Sequence, residues 1–267
     1  MLKDITLGQY FPGDSVVHKM DPRTKLIMVV LYIIALFLAN GFVGYGMMLA
    51  VTAGFIKLSK VPPKAMFRGL KSVVLIIVLT AVLNVFYTEG TVLVQIWKLK
   101  ITYEGIVRAV FMVLRIVMLI CGTFLLTYTT APVALTDGME LLLNPLKKLK
   151  VPVHEMSMMM SMALRFIPTL IEETDKIMSA QKARGADFET GSLIDRAKAL
   201  LPILVPLFIS AFRRADELAI AMESRCYNGG AGRTRMKQLR YEARDYIALT
   251  FGVLLIVGMV VLQAVGL

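Results

Sequence analysis

From Leu26 to Phe55 the chain runs for thirty residues without a charged side chain. As one α-helix this block is about 45 Å long, half as long again as the ~30 Å hydrocarbon core of a bilayer. Asn40, Gly41, Gly44 and Gly46 interrupt it in the middle, and such residues suit a chain reversal. Lys19, Arg23 and Lys25 precede the block, and Lys57, Lys60, Lys64, Arg68 and Lys71 follow it. Cytoplasmic ends of spans collect Lys and Arg, so both flanks belong on one side. Two crossings return the chain to the side it left. Two short spans, 24–39 and 42–57, are therefore expected, with one tilted helix as the alternative.

Further apolar runs predict spans at 70–87, 104–130 and 246–267. The segment Thr88–Tyr103 holds Glu89, Lys98 and Lys100, a near-balanced set that reads as external. Five spans then leave the N-terminus inside and Leu267 outside. Apolar residues make up 57% of the chain, above the usual 45–50% of soluble domains. The first residues are polar and charged where the apolar stretch of a cleavable signal peptide belongs, and none is expected. Cys121 and Cys226 are far apart, which argues against a disulfide framework. The net charge of +11 fits anionic lipid and protein partners better than nucleic acid. The expected fold is an all-α integral membrane protein of about five spans, with a cytoplasmic helical insert between the last two. Its parts are 1–130, 131–244 and 245–267.

The insert is too polar to span and too apolar for a disordered linker. Asp137, with Glu140 three residues on, suits a helix start, and Lys150-Val151-Pro152 ends that piece. A second helix is expected over 153–185. A third is expected over 192–227, kinked near Pro202 and Pro206 and ended by Asn228, Gly229 and Gly230. A basic tail, Arg233–Arg244, leads into the last span.

Four features are candidates for function. Asp21-Pro22-Arg23-Thr24-Lys25 reads as a helix entry with an N-cap, a proline at the first position and snorkelling cations; a binding role is the alternative. Arg108 and Arg115 share one face of the fourth span, where an unpaired charge costs at least ~2.5 kcal/mol. They mark either a partner contact or polar path, or an inward arginine held by carbonyls or by an acid such as Glu104. Met156, Met158, Met159, Met160 and Met162 cannot all face one stripe of a helix. They form an adaptable docking surface or ordinary bundle packing. Lys182-Ala183-Arg184-Gly185-Ala186-Asp187 and Glu223-Ser224-Arg225-Cys226-Tyr227 close the last two helices of the insert as a loose internal echo. Each is a helix cap favoured by the macrodipole, or an arginine whose small neighbours let it enter a groove on another protein.

The chain has no G-x-x-x-x-G-K-[ST], G-x-S-x-G, H-E-x-x-H or C-x-x-C. His18 and His154 are its only histidines. No catalytic residue, cofactor or metal site is expected.

Several segments, taken in order, resemble the transmembrane T component of energy-coupling factor (ECF) transporters. They are Gly8-Gln9-Tyr10 through Pro12-Gly13-Asp14-Ser15, Asp21-Pro22-Arg23-Thr24-Lys25, Leu164-Arg165-Phe166-Ile167-Pro168, Ala183-Arg184-Gly185, and Arg213-Arg214-Ala215-Asp216-Glu217 leading to Ser224-Arg225-Cys226. The family carries two Ala-Arg-Gly-like motifs on cytoplasmic coupling helices. The first is matched fully; the second keeps Arg225 but has Ser224 and Cys226 at its flanks. The resemblance implies a non-catalytic scaffold in the cell membrane. Ala183, Arg184, Gly185, Ser224, Arg225 and Cys226 would engage two cytoplasmic ABC-type ATPases. A membrane-embedded S component that captures a vitamin or transition-metal ion would be held as well, with the methionine cluster as its docking surface. A self-sufficient permease is the alternative, with Arg108 and Arg115 as its support; a membrane enzyme lacks any acid–base or nucleophile set.

Overall fold

A computed structural model describes residues 10–96, 99–188, 190, 192–229 and 238–265. Gly8, Gln9, Lys98, Gly230, most of the basic tail from Arg233, and Leu267 lie outside the described residues. Two compact units emerge from the packing: residues 10–141 with 239–265, and residues 142–229 with 238.

The first unit contains the apolar helices. The long uncharged block is two helices, α1 (Pro22–Leu38) and α2 (Gly41–Ser59), with Ala39 and Asn40 extended between them. A single tilted helix is thereby ruled out. The α3 helix spans Pro63–Tyr87, α4 spans Tyr103–Thr129, α5 spans Pro132–Leu143 and α9 spans Ala243–Val265. Helices α2, α3, α4 and α9 are each long and apolar enough to cross a membrane. At 17 residues, α1 is about 25 Å long, at the short end for a span. Thr88–Tyr103 is not plain loop: β1 (Val92–Ile96) and β2 (Leu99–Thr102) pair as an antiparallel hairpin.

Tyr32 locks three of these helices. Its hydroxyl lies 2.7 Å from Thr52 Oγ1 on α2 and 3.1 Å from the Met118 carbonyl on α4. Its ring lies against Gly122, where an added Cβ would stand 2.5 Å from a ring carbon. Around it Leu36, Tyr45, Met48, Met118, Leu255 and Met259 form one core cluster. A second joins Val61, Met66, Cys121, Leu125 and Tyr128. Outside these clusters much of the apolar surface is bare: Leu75 on α3 is 79% exposed. A surface of this kind needs lipid or protein cover.

The entry to α1 is a buried polar junction. Asp21 caps the helix by accepting the Arg23 N–H at 2.9 Å, and it pairs with the Arg23 guanidinium at 2.8 Å. Arg23 also donates to the Leu239 carbonyl at 3.1 Å and stacks 4.0 Å from the Tyr241 ring centre. Asp245, 1% exposed, accepts N–H bonds at 2.9 Å from Asp21 and from Glu242. The expected snorkelling of the basic residues is corrected for Lys25, which is 6% exposed. Its Nζ donates to the Thr129 carbonyl at 2.9 Å, the His18 carbonyl at 3.1 Å and Thr130 Oγ1 at 3.2 Å. Thr129 ends α4, so the ammonium sits where that helix dipole favours a cation.

Arg115 is held only in part, with its Nε enclosed and without a hydrogen-bond partner. It donates to the Ala39 carbonyl at 3.4 Å and lies 5.5–5.6 Å from the ring centres of Tyr45 and Phe37. Glu104 is not its partner: that carboxylate accepts the Thr91 N–H at 2.7 Å.

In the second unit a 3-10 segment (Asn144–Leu149) ends in a left-handed Lys150, at the expected stop. It is followed by α6 (Val153–Ala183), α7 (Leu193–Ala199) and α8 (Leu201–Glu223). Three expectations need correction. Asp137 lies inside α5, which starts at Pro132; a proline at the first position needs no backbone donor. The third insert helix is broken at Leu200, not merely kinked. Pro202 has no N–H to bond four residues back, so a new helix starts there. That helix ends at Glu223 rather than Tyr227, and Asn228-Gly229 is not its stop.

Candidate functional site

The two arginine-bearing helix ends have one geometry. At the end of α6, Gly185 adopts φ +89°, a conformation that costs glycine nothing. The Gly185 N–H donates to the Lys182 carbonyl at 3.0 Å and the Ala186 N–H to the Gln181 carbonyl at 3.0 Å. At the end of α8, Cys226 adopts φ +56°. The Cys226 N–H donates to the Glu223 carbonyl at 2.8 Å and the Tyr227 N–H to the Met222 carbonyl at 3.0 Å. Both ends thus close with a left-handed residue and a bond reaching five residues back. The cysteine holds, at some strain, the backbone shape that glycine holds freely. In each case an arginine immediately precedes the left-handed residue, so Ser224-Arg225-Cys226 matches Ala183-Arg184-Gly185 in backbone as well as in order.

All six of these residues are exposed. Neither guanidinium makes a hydrogen bond or ion pair among the described residues. At each end three of the last four carbonyls accept backbone N–H groups, namely the carbonyls of Ala180, Gln181 and Lys182 on α6 and of Ile220, Met222 and Glu223 on α8, so the closure itself does not use the arginine side chains.

Where these ends stand is set by the packing of α6 on α8. Glu173 pairs with Arg214, and the Gln181 side-chain amide donates to the Pro202 carbonyl at 3.3 Å. Moving forward along α6 therefore means moving backward along α8: the pair is antiparallel. Eleven residues separate Glu173 from Arg184, and eleven separate Arg214 from Arg225. At 1.5 Å per residue each tip lies about 16 Å from the ion pair, on opposite sides of it. The Glu173–Arg214 pair escaped the sequence reading, although Arg214 stands in a segment that carried the resemblance.

The methionine cluster divides as helical geometry requires. Met156, Met159 and Met160 are exposed. Met158 and Met162 turn the other way and line a groove of about 470 Å³ with Leu218, Met222 and Arg225. On α8, Val205, Phe208, Ile209 and Phe212 are exposed as well. No cluster of three or more possible metal ligands occurs among the described residues.

Residues 13–237 match the model of the family described as CbiQ, cobalt transport protein. The chain is 56% identical over 257 residues to the energy-coupling factor transporter transmembrane protein EcfT of Thermosediminibacter oceani, covering 96% of this chain and 97% of that one. It is 57% identical over 251 residues to the protein of the same name from Clostridium kluyveri, covering 93% of each chain. Its identity to the Bacillus subtilis protein of that name is 51% over 246 residues, covering 92% of this chain and 93% of the relative. The chain belongs to the family of transmembrane proteins of energy-coupling factor transporters.

Proposed function

We infer that this chain is the non-catalytic coupling scaffold of an ECF importer. Arg184 and Arg225 each dock into one of two cytoplasmic ABC-type ATPases, and ATP-driven motion passes through α6 and α8 to a membrane-embedded S component that holds a vitamin or micronutrient. The observation that carries the reading is the matched pair of helix ends. Each presents an exposed arginine beside a left-handed residue, one at either side of the Glu173–Arg214 pair. An arginine fork suits carboxylates or carbonyls in a groove, and tips about 30 Å apart suit two receiving subunits rather than one. The exposed Met156, Met159 and Met160 and the apolar face of α8 support a docking surface for the S component, since methionine side chains adapt to differing partners.

In this reading the N-terminus and residues 131–244 are cytoplasmic, and Thr88–Tyr103 and Leu267 are external. The division 1–130, 131–244 and 245–267 marks four spans, the coupling insert and the last span. The permease alternative rests on Arg108 and Arg115, of which Arg115 donates one long bond to the Ala39 carbonyl at the α1–α2 turn. The test is purification of the tagged chain from its native membrane. Two ATPase subunits and a small hydrophobic membrane protein should accompany it in stoichiometric amounts. A chain that transports solute in vesicles with no partner present refutes the reading in favour of a permease.

A further inference from the structure

Between α2, α9 and the 16–20 segment that precedes α1 the surface opens into a groove of about 410 Å³. Gly54, Phe55 and Leu58 line it from α2, and Arg244, Ala248 and Phe251 from α9. Each set follows the spacing of a single helix face. Phe55 and Phe251 meet edge to face at 5.9 Å. A Cβ added at Gly54 would have no atom within 4 Å, so a small residue there leaves the space open. The lining is apolar except at one end. There Arg244 pairs with Glu242 at 2.6 Å through one nitrogen, while its Nε is enclosed without a hydrogen-bond partner. Lys57, three residues beyond Gly54 in the last turn of α2, is exposed and stands outside the lining.

An apolar trough in a membrane protein does not stay empty, because its walls would forfeit dispersion contacts on one side. A trough whose one polar lining group is an arginine with a donor still unused matches, end for end, a molecule with an acyl chain and an anionic head. We propose that the groove is a specific site for one anionic phospholipid, its chain along Gly54 and Ala248 and its phosphate at the unpaired Nε edge of Arg244. The lipid comes from the leaflet around the C-terminus of α2, which the proposed topology makes the cytoplasmic one; that assignment of the leaflet rests on the topology, and the binding does not.

The test is native mass spectrometry of the full chain in detergent micelles, titrated with phosphatidylglycerol or phosphatidylcholine of matched chains. The unsubstituted chain should retain one phosphatidylglycerol at least tenfold more tightly than phosphatidylcholine. Gly54→Leu fills the trough and should release both lipids, while Gly54→Ala should retain them. Arg244→Gln should bring the two lipids to near equality, and Arg244→Lys should keep most of the preference. Equal binding of both lipids by the unsubstituted chain overturns the proposal, as does undiminished phosphatidylglycerol binding by Gly54→Leu. A benzophenone side chain at Leu58 gives a second measurement that needs no bulky filling. In native membranes it should cross-link to phospholipid, and a cross-link to protein instead overturns the site. Micelle binding is independent of sidedness, so a failed topology leaves this result standing on its own.

Discussion

Removing the guanidinium from either helix end should separate docking from capping by magnitude. In Arg184→Ala and Arg225→Ala the closing bonds survive, because they run from the Ala186 and Tyr227 N–H groups to the Gln181 and Met222 carbonyls. The local loss is then confined to charge at a helix C-terminus, about 0.3–1 kcal/mol. Loss of an arginine from a buried charged pair on a partner costs about 2–5 kcal/mol. At 1.4 kcal/mol per decade this is about 30-fold to several-thousand-fold in Kd. The tips are about 30 Å apart, far beyond the 7–10 Å within which substitutions couple. The double variant should therefore show the sum of the single costs, within about 0.5 kcal/mol. Lys at either position should recover little, since it keeps the charge and loses the planar fork. The assay is titration of the purified ATPase pair onto the nanodisc-held chain, with thermal unfolding of each variant as the folding control. A loss below about fivefold in each Ala variant corresponds to the cap alone and refutes docking. A double variant no weaker than a single one refutes the two-subunit arrangement.

Cys226→Gly should stabilise the end of α8 by about 1 kcal/mol, and Gly185→Ala should destabilise the end of α6 by a similar amount; hydrogen exchange at 222–227 and 181–186 reads both changes. Lys25→Met should lower the stability of the first unit by about 1–3 kcal/mol, because it leaves buried oxygens around Thr129 and Thr130 short of a donor. Thermal unfolding in detergent measures it, and an unchanged midpoint rules out a structural role for the ammonium. In Cys-free protein, Glu89→Cys should react with an impermeant thiol reagent from outside intact cells and Thr190→Cys only after lysis. The reverse pattern inverts the proposed topology.

The spans were legible because their signal is one-dimensional. An uncharged run bounded by lysines and arginines becomes a helix of about that length, and the expected 42–57 lies within the observed Gly41–Ser59. The reversal at Ala39–Asn40 was likewise marked by its own turn residues. The α1 entry junction was not legible. Asp21 and Asp245 lie 224 positions apart, and nothing local in either segment names the other. Nor could composition show that Cys226 takes the left-handed position, where glycine or asparagine is the usual sign. The hairpin at Val92–Thr102 carried only half a signal: its strands are rich in β-prone Val, Ile and Thr, but no Gly, Asn or Asp turn pair stands between them. For the arginines, order along the chain located both tips, while their shared backbone closure and equal distance from Glu173–Arg214 came only from packing.

The unequal lengths of the apolar helices also shape the bilayer around the protein. With 17 and 19 residues, α1 and α2 reach about 25–29 Å, whereas α3 and α4, with 25 and 27, reach about 38–40 Å. The N-terminal turns of α3 and α4 carry Lys64, Arg68 and Lys71, and Glu104 and Arg108, so their extra length extends beyond a hydrocarbon layer about 30 Å deep, whereas that layer thins beside α1 at a fraction of a kcal/mol per Å. The protein thus sits in a lipid collar of uneven depth. A neighbour with short spans loses least on the shallow side, so hydrophobic mismatch alone biases where such a neighbour gathers.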